Sequence, residues 1–144
     1  MTLEKGQKFS EKHGPRAQVE PAAKAEIEKK ARNGELACAI AFQIADTLGV
    51  SPAEVGKSLD LLEFRISKCQ LGLFGYKPAK KKVKPKMPAD PQMEAAVREA
   101  LVDGKLACRD AWAIARRFKV PKMSVSAACD ALRIKIKHCQ LGAF

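Results

Sequence analysis

Apolar residues recur along this chain at the spacing of amphipathic helices, with short alternating stretches between them. Four apolar residues keep the i, i+3, i+4, i+7 spacing that places side chains on one buried helical face: Ala41, Ile44, Ala45 and Leu48. This pattern predicts a helix over about residues 37–48. Further along, Phe64-Arg65-Ile66-Ser67 alternates apolar and polar residues, which is typical of a half-buried strand.

A helix-capping motif, Ser51-Pro52-Ala53-Glu54, lies between these two elements. The serine suits the N-cap, the proline suits the first helical position, and the glutamate at the third completes a capping box. Val55, Leu59 and Leu62 then fall on one face. The motif and the spacing together predict a helix that begins at Pro52 and reaches about Leu62.

The same order of elements returns later in the chain, because the sequence is an internal duplication. Shifting it by 70 positions aligns it with itself without a gap, with 17 identities in the 41 positions from Gly34 to Phe74. The best-matched segments are Gly34–Cys38 with Gly104–Cys108, and Cys69–Gly72 with Cys139–Gly142. Two copies are too few for a solenoid, so the duplication predicts two similar small domains.

A further helix is predicted at the start of each copy, over residues 21–33 and about 90–103. Asp90-Pro91 supplies an N-cap and a proline at the first helical position. Gly34 and Gly104 follow these helices, and we interpret each as a C-cap glycine. Each copy is therefore predicted to contain two helices, a turn, a third helix and a strand.

Residues 42–62 resemble the helix-turn-helix unit of bacterial transcriptional regulators. The likeness rests on a small residue within the second helix, a glycine at the turn, an apolar residue after it and a valine within the third helix. These residues are Ala45, Gly49, Val50 and Val55. The alanine lets the helices approach, the glycine can take a positive φ, and the two valines fill the corner. With the trailing strand, each copy is similar to a winged helix.

The second copy departs from this pattern at its turn. Lys119 replaces the turn glycine, and Val120-Pro121-Lys122 replaces the capping box. We expect the same fold there and allow for a longer turn. Neither copy shows two strands joined by a hairpin, so the wing itself is not clearly present in the sequence.

The fold class predicted from these patterns is mainly α. It comprises two tandem three-helix helix-turn-helix (winged-helix-like) domains, each followed by a short β-strand. The predicted boundaries are a flexible tail over residues 1–19, the first domain over 20–76, a Lys/Pro-rich linker over 77–88 and the second domain over 89–144. The linker carries six lysines and three prolines. Such a segment cannot build a core, and its like charges extend the chain.

Composition excludes several classes of protein. A chain of 144 residues suits one ordinary domain or two small ones, and a hydrophobic content of 47% is too high for a wholly disordered protein. No apolar run approaches the roughly 18 residues of a membrane span. The first 20 residues lack the apolar core of a secretory signal peptide. We therefore expect a cytoplasmic protein with no membrane partner.

Catalysis finds little support in the sequence. There are two histidines, and no phosphate loop, Ser/His/Asp grouping or metal-binding helix motif is present. We expect no enzymatic activity, no catalytic residues and no cofactor.

The five cysteines have two interpretations. Cys38 with Cys69, and Cys108 with Cys139, recur at the same separation of 31 residues. Paired thiols are compatible with zinc, an iron–sulfur cluster or a redox switch, with a histidine beside the last of them as a further ligand. Without a Cys-x-x-Cys motif, two thiols per copy fall short of four zinc ligands. We favour buried packing for these residues and for Cys129, and predict no metal site.

The formal charge of +11 is distributed unevenly along the chain. The first copy carries −1, the linker +6 and the second copy +4, so the linker and the second copy are expected to meet phosphate. The predicted nucleic-acid-binding residues are Lys77, Lys80, Lys81, Lys82, Lys84, Lys86, Arg116, Arg117, Lys119, Lys122, Ser124, Ser126, Arg133, Lys135 and Lys137. A solvated spacer for the linker and a solvent-facing pair for Arg116-Arg117 are the simpler alternatives.

The sequence therefore predicts a small regulatory protein that binds nucleic acid, with duplex DNA as the favoured form. Exposed positions of the third helix carry short or apolar side chains, so recognition is expected to be weak or led by DNA shape. The first copy is expected to serve protein contacts or self-association. The main alternative is a protein-interaction scaffold, as tandem winged helices are in the accessory subunits of bacterial condensin. RNA binding, as by the winged helix of the selenocysteine elongation factor, and a metal or redox sensor are further alternatives.

Overall fold

The computed structural model of the protein describes residues 18–77 and 80–144, which form a mainly helical fold with four short strands. The helices are α1 (Pro21–Lys30), α2 (Cys38–Leu48), α3 (Pro52–Leu61), α4 (Pro91–Glu99), α5 (Cys108–Phe118) and α6 (Lys122–Ala131). The strands are β1 (Glu35–Ala37), β2 (Arg65–Ser67), β3 (Lys105–Ala107) and β4 (Lys135–Lys137). The predicted mainly α class is confirmed. The predicted tail over residues 1–19 lies outside the described residues up to residue 17.

The contacts divide the chain into two compact units. Unit 1 comprises the chain up to Cys69 together with Gln140–Phe144, and unit 2 comprises Gln70–Cys139. The predicted boundaries differ, since they placed residues 70–76 with the first copy and residues 140–144 with the second. In the structure each of these tails belongs to the unit built mainly from the other copy.

The second and third helices of each unit form where the sequence predicts them. The Ser51 hydroxyl accepts a hydrogen bond from the Glu54 backbone N–H at 3.2 Å, so the predicted cap of α3 is present. Gly49 and Lys119 both adopt the left-handed conformation, with φ of 66° and 55°. The following helix begins three residues later in both units, so the turn after Lys119 is no longer than its glycine counterpart.

The first helix of each unit ends earlier than predicted. α1 ends at Lys30 and α4 at Glu99, so Gly34 and Gly104 are not C-cap residues. Each glycine is the second central residue of a tight turn. Asn33-Gly34 has φ of 54° and 75°, and Asp103-Gly104 has 52° and 75°. Positive φ at both central positions is the signature of a type I′ hairpin turn, for which Asn-Gly and Asp-Gly are the favoured pairs.

These turns lead into β1 and β3, two strands that the sequence patterns did not predict. Arg32 and Glu35 exchange two backbone hydrogen bonds of 2.9 Å across the first turn, and Val102 and Lys105 exchange equivalent bonds across the second. β1 then pairs in parallel with β2, and β3 with β4. A wing is an antiparallel hairpin, and within the described residues no such hairpin follows the third helix of either unit.

Corresponding apolar positions fill the interiors of the two units. In unit 1 the most buried side chains include Ile27, Leu36, Ile44, Val55 and Leu59. In unit 2 their counterparts are Val97, Leu106, Ile114, Val125 and Cys129. The predicted core position of Cys129 is confirmed. In the described part of the chain no helix is long and apolar enough to span a membrane.

Residues 140–144 and residues 70–76, here called the tails, complete the interiors of unit 1 and unit 2 respectively. Leu141 is buried in unit 1 and Leu71 in unit 2, with 2% and 0% of their surfaces exposed. On α3, a methyl group at Gly56 would overlap the backbone carbonyl of Leu141. On α6, the corresponding residue is Ser126, whose buried hydroxyl donates to the carbonyl of Leu71. The tails therefore lie against the third helix of each unit.

The close approach at Gly56 predicts a specific loss of stability. Substituting Gly56→Ala adds a methyl group where the Leu141 carbonyl lies, so the tail must shift from α3. We expect the free energy of unfolding to fall by about 1–3 kcal/mol, the usual cost of overpacking. Urea denaturation followed by circular dichroism measures the change.

A shortened chain that ends at Cys139 provides the control for this substitution. It lacks the carbonyl that the new methyl group would meet, so Gly56→Ala should cost much less there or even stabilise α3, since alanine is the better helix former. An equal cost in the full and shortened chains would contradict the assigned contact.

The buried thiol of Cys129 predicts a pH dependence of stability. Burial, and in second place the charge of Asp130, raise the pKa of Cys129 from 9.0 to about 11. Because the folded-state pKa lies above the unfolded one, the contribution of the neutral thiol is complete below pH 9 and is lost as the pH rises through 11. Between those values wild type should lose roughly 2–3 kcal/mol more of its unfolding free energy than Cys129→Val, measured by urea denaturation. Parallel pH profiles for the two proteins would contradict this, and Leu59→Val reports the cost of valine at the corresponding core position.

Candidate nucleic-acid interface

Seven of the basic residues predicted to bind nucleic acid belong to unit 2 and lie at its surface, around α6. Arg116, Arg117, Lys119, Arg133 and Lys135 are exposed, and Lys122 and Lys137 are half-buried. They come from the last turn of α5, the turn after it, the first residue of α6, the segment after α6, and β4. The fold therefore brings cations that are up to 21 positions apart in the sequence to the same helix and its flanking segments.

Unit 1 provides an internal comparison for these positions. The residues that correspond to the seven cations are Asp46, Thr47, Gly49, Pro52, Glu63, Arg65 and Ser67. Together they carry −1, against +7 in unit 2. Since both units form the same elements, the fold does not require these cations. The difference in charge between the copies is therefore concentrated at these seven positions of unit 2.

The cations around α6 are spaced on the scale of a DNA groove. Lys122 is the first residue of α6, and Arg133 follows its last turn. A helix of ten residues is about 15 Å long. The major groove of B-DNA is about 12 Å wide. Contacts from the two ends of α6 can therefore reach phosphates on both sides of a groove.

One of these cations is held in place by an aromatic ring. The Lys122 ammonium lies 4.5 Å from the centroid of the Trp112 ring, on α5. Such cation–π contacts stabilise by about 0.5–1 kcal/mol at exposed sites and restrict the side chain. Unit 1 has Phe42 and Pro52 at these positions, so it lacks this arrangement. The start of α6 thus carries a positioned positive charge.

The seven cations remain available to an anionic partner. Within residues 18–77 and 80–144, no ion pair involves any of them. Arg117 lies over the ring of its neighbour Phe118, at 5.2 Å from the ring centroid. Uncompensated surface cations attract phosphate, and they gain more from it than paired ones do.

The predicted linker is packed against α6 rather than free, over its described residues 80–87, here called the lysine strap. Val83 is buried, and the backbone N–H of Lys86 donates to the carbonyl of Ala127 at 3.1 Å. The backbone N–H groups of Lys82 and Val83 both donate hydrogen bonds to the carbonyl oxygen of Gly72. The buried side chain of Val83 and these backbone hydrogen bonds hold the lysine strap in place. Residues 78 and 79 lie outside the described residues.

The six lysines of the predicted linker are all exposed, and one of them forms an ion pair. Lys77, Lys80, Lys81, Lys82, Lys84 and Lys86 are all exposed. Lys81 forms an ion pair of 2.8 Å with Asp130 of α6, and Lys82 lies 5.4 Å from the centroid of the Tyr76 ring. The Lys81 charge is therefore compensated, while the others add to the basic surface of unit 2.

The structure removes Ser126 from the predicted contact residues. It is 1% exposed, and its hydroxyl is engaged with the Leu71 carbonyl. Ala127 is also buried beneath the lysine strap, whereas Ser124 is half-buried at the start of α6. The tail and the strap thus cover the face of α6 that a helix-turn-helix protein would insert into a groove. The repeated Cys-Gln-Leu-Gly segment was the sequence signal for this cover.

Four of the five cysteines lie in the interiors of the units. Cys38, Cys69, Cys108 and Cys129 are buried, and Cys139 is half-buried. Among the residues that the structure describes, no group of three or more His, Cys, Asp or Glu side chains is placed to hold a metal ion. Their burial agrees with the interpretation as small core residues.

The chain matches no family model, no curated protein and no solved structure. Its resemblance to helix-turn-helix proteins is therefore carried by the residues of α2, α3 and the turn between them. What distinguishes the two copies is the basic surface around α6 and the near-neutral surface around α3.

Proposed function

We propose that the protein binds nucleic acid, with duplex DNA as the favoured form, through phosphate contacts from unit 2 and the lysine strap. The observation that carries this proposal is the charge of the seven positions around α6, +7 against −1 at the corresponding positions of unit 1. A shared fold explains the shared core, but it does not explain this difference. Phosphate is the ligand for which exposed, unpaired lysines and arginines are best suited.

The proposed mode of binding is electrostatic and largely independent of sequence. Lysine and arginine that neutralise phosphates release condensed counterions, and this release supplies most of the non-specific affinity for DNA. Direct reading of bases requires polar side chains that enter the major groove. The buried Ser126 and Ala127 cannot do so, because the tail and the strap cover them. The shape of the DNA and the width of its grooves are then the features that can make the protein prefer one duplex over another.

The proposal predicts a salt dependence that specific variants reduce. The triple variant Arg116→Gln, Lys119→Gln, Lys122→Gln removes three candidate phosphate contacts from the corner of unit 2. Each contact contributes about −0.9 to the slope of log K against log salt, so the slope should become shallower by about 2 to 3. Fluorescence anisotropy of a labelled duplex, titrated at several salt concentrations, measures both slope and affinity.

Unit 1 offers a charge-matched control. The triple variant Lys24→Gln, Lys57→Gln, Arg65→Gln removes the same charge from the chain but not from the surface around α6. It should leave the slope close to that of wild type. Absence of binding at low salt, or equal losses from the two triple variants, would overturn the assignment to unit 2. A strong preference for one duplex sequence would contradict binding without base reading.

A protein-interaction scaffold is the second candidate, and the covered faces of α3 and α6 favour it. A helix that already packs against Leu141 or Leu71 is not free to enter DNA. The near-neutral first copy also lacks a surface for phosphate. The two candidates differ in one experiment. If the tagged protein retains a stoichiometric protein partner after nuclease treatment and binds no duplex at low salt, the scaffold replaces nucleic-acid binding.

A further inference from the structure

Unit 2 contains a cavity of about 560 Å³ whose apolar walls the proposed function does not use. Its walls come from the lysine strap, the start of α4, the end of α5 and the first turns of α6. Sites for small organic ligands have volumes of about 300–1,000 Å³, and they combine apolar walls with a few polar groups. The cavity is of this size.

Three methionines form part of the apolar wall. The chain has four methionines, and Met87, Met93 and Met123 line this cavity together with Phe118. Met87 leaves 56% of its surface exposed, so part of this wall is open to solvent. Methionine is flexible and polarisable, so a methionine-lined wall adapts to apolar ligands of different shapes. The wall therefore favours a hydrocarbon chain or ring.

The polar part of the wall is positive. Lys84 and Lys86 line the cavity, and neither forms an ion pair within the described part of the chain. Asp90 is the acidic residue of the lining, and its carboxylate caps α4 by accepting the Gln92 N–H at 2.8 Å. The Ser124 hydroxyl adds a donor. A ligand in this cavity would thus meet two unpaired cations beside the apolar wall.

The corresponding residues of unit 1 indicate that the fold does not need this wall. Met93 corresponds to Ala23 and Met123 to Ala53, while Ser124 corresponds to Glu54. In the first copy, alanines on α1 and α3 therefore replace these two methionines, and a glutamate on α3 replaces the serine. The methionines and the absence of an acid at the start of α6 are specific features of the second copy, so packing alone does not account for them.

We propose that this cavity binds a small amphipathic carboxylate. The apolar chain lies against Met87, Met93 and Met123, and the carboxylate lies between the ammonium groups of Lys84 and Lys86. A carboxylate complements two cations, and a hydrocarbon chain of moderate length fits the volume and the methionine wall. The site shares Lys84 and Lys86 with the lysine strap of the proposed phosphate surface, and it does not include Arg116, Lys119 or Lys122.

Methionine methyl NMR of the full chain tests the proposal directly. With the methionine methyl groups labelled with carbon-13, decanoate is titrated below its aggregation concentration, and decan-1-ol and acetate are titrated in parallel. The signals of Met87, Met93 and Met123, assigned by substitution, should shift with decanoate in a saturable way. Decan-1-ol should bind more weakly because it lacks the charge, and acetate should not shift the signals because it lacks the chain.

Variants separate the two parts of the site. Lys84→Gln with Lys86→Gln should weaken decanoate binding by about threefold to tenfold, from two partly exposed charge pairs, and leave decan-1-ol unchanged. Lys29→Gln with Lys57→Gln removes the same charge from unit 1 and should leave both affinities unchanged. Met123→Ala, which introduces the residue found at the corresponding position of unit 1, should weaken both ligands.

Three results would overturn the proposal. One is the absence of shifts at all three methionine methyl groups at the highest decanoate concentration. Another is equal affinity for decanoate and decan-1-ol with no effect of the lysine variants, which would remove the carboxylate from the assignment. The third is saturable binding of an acidic amphipathic peptide without binding of decanoate, which would identify the cavity as a docking site for a protein partner.

Discussion

The packing of a short tail against the third helix is the contact on which the rest of this structure depends. In unit 1 the carbonyl of Leu141 comes so close to α3 that only glycine fits at position 56. In unit 2 the corresponding residue is Ser126, whose hydroxyl meets the carbonyl of Leu71 with a hydrogen bond. The same contact is therefore accommodated in two ways, once by the absence of a side chain and once by a donor. Both solutions bury a leucine that completes the core.

This contact also limits what the third helix of each unit can do. A helix that reads DNA must present one face to the groove, and the tails occupy that face on α3 and α6. In unit 2 the lysine strap lies on α6 as well, held by Val83 and by the bond from Lys86 to Ala127. In unit 2 the positive charge therefore lies on the lysine strap and near the two ends of α6.

Local patterns predicted the second and third helices well, because their apolar spacing and the Ser51 cap leave little choice of conformation. The first helices were predicted too long, because Gly34 and Gly104 were interpreted as caps when Asn33 and Asp103 before them specify hairpin turns. The parallel strand pairs and the exchanged tails depend on long-range contacts. Spacing along the chain does not reveal which copy a repeated tail will pack against. The cations of the candidate site were found from charge, whereas the burial of Ser126 follows from the tail.

The exchange of tails sets the order in which the protein can be completed during its synthesis. Domains usually fold as units, with the amino-terminal one first. Here residues 140–144 pack in unit 1, and the ribosome adds them only after every residue of unit 2 has been made. Until then Gly56 and the neighbouring residues of α3 lack their contact with Leu141. Unit 2, by contrast, already has its three helices and the tail of residues 70–76. The unit that begins the chain is therefore the last to be finished.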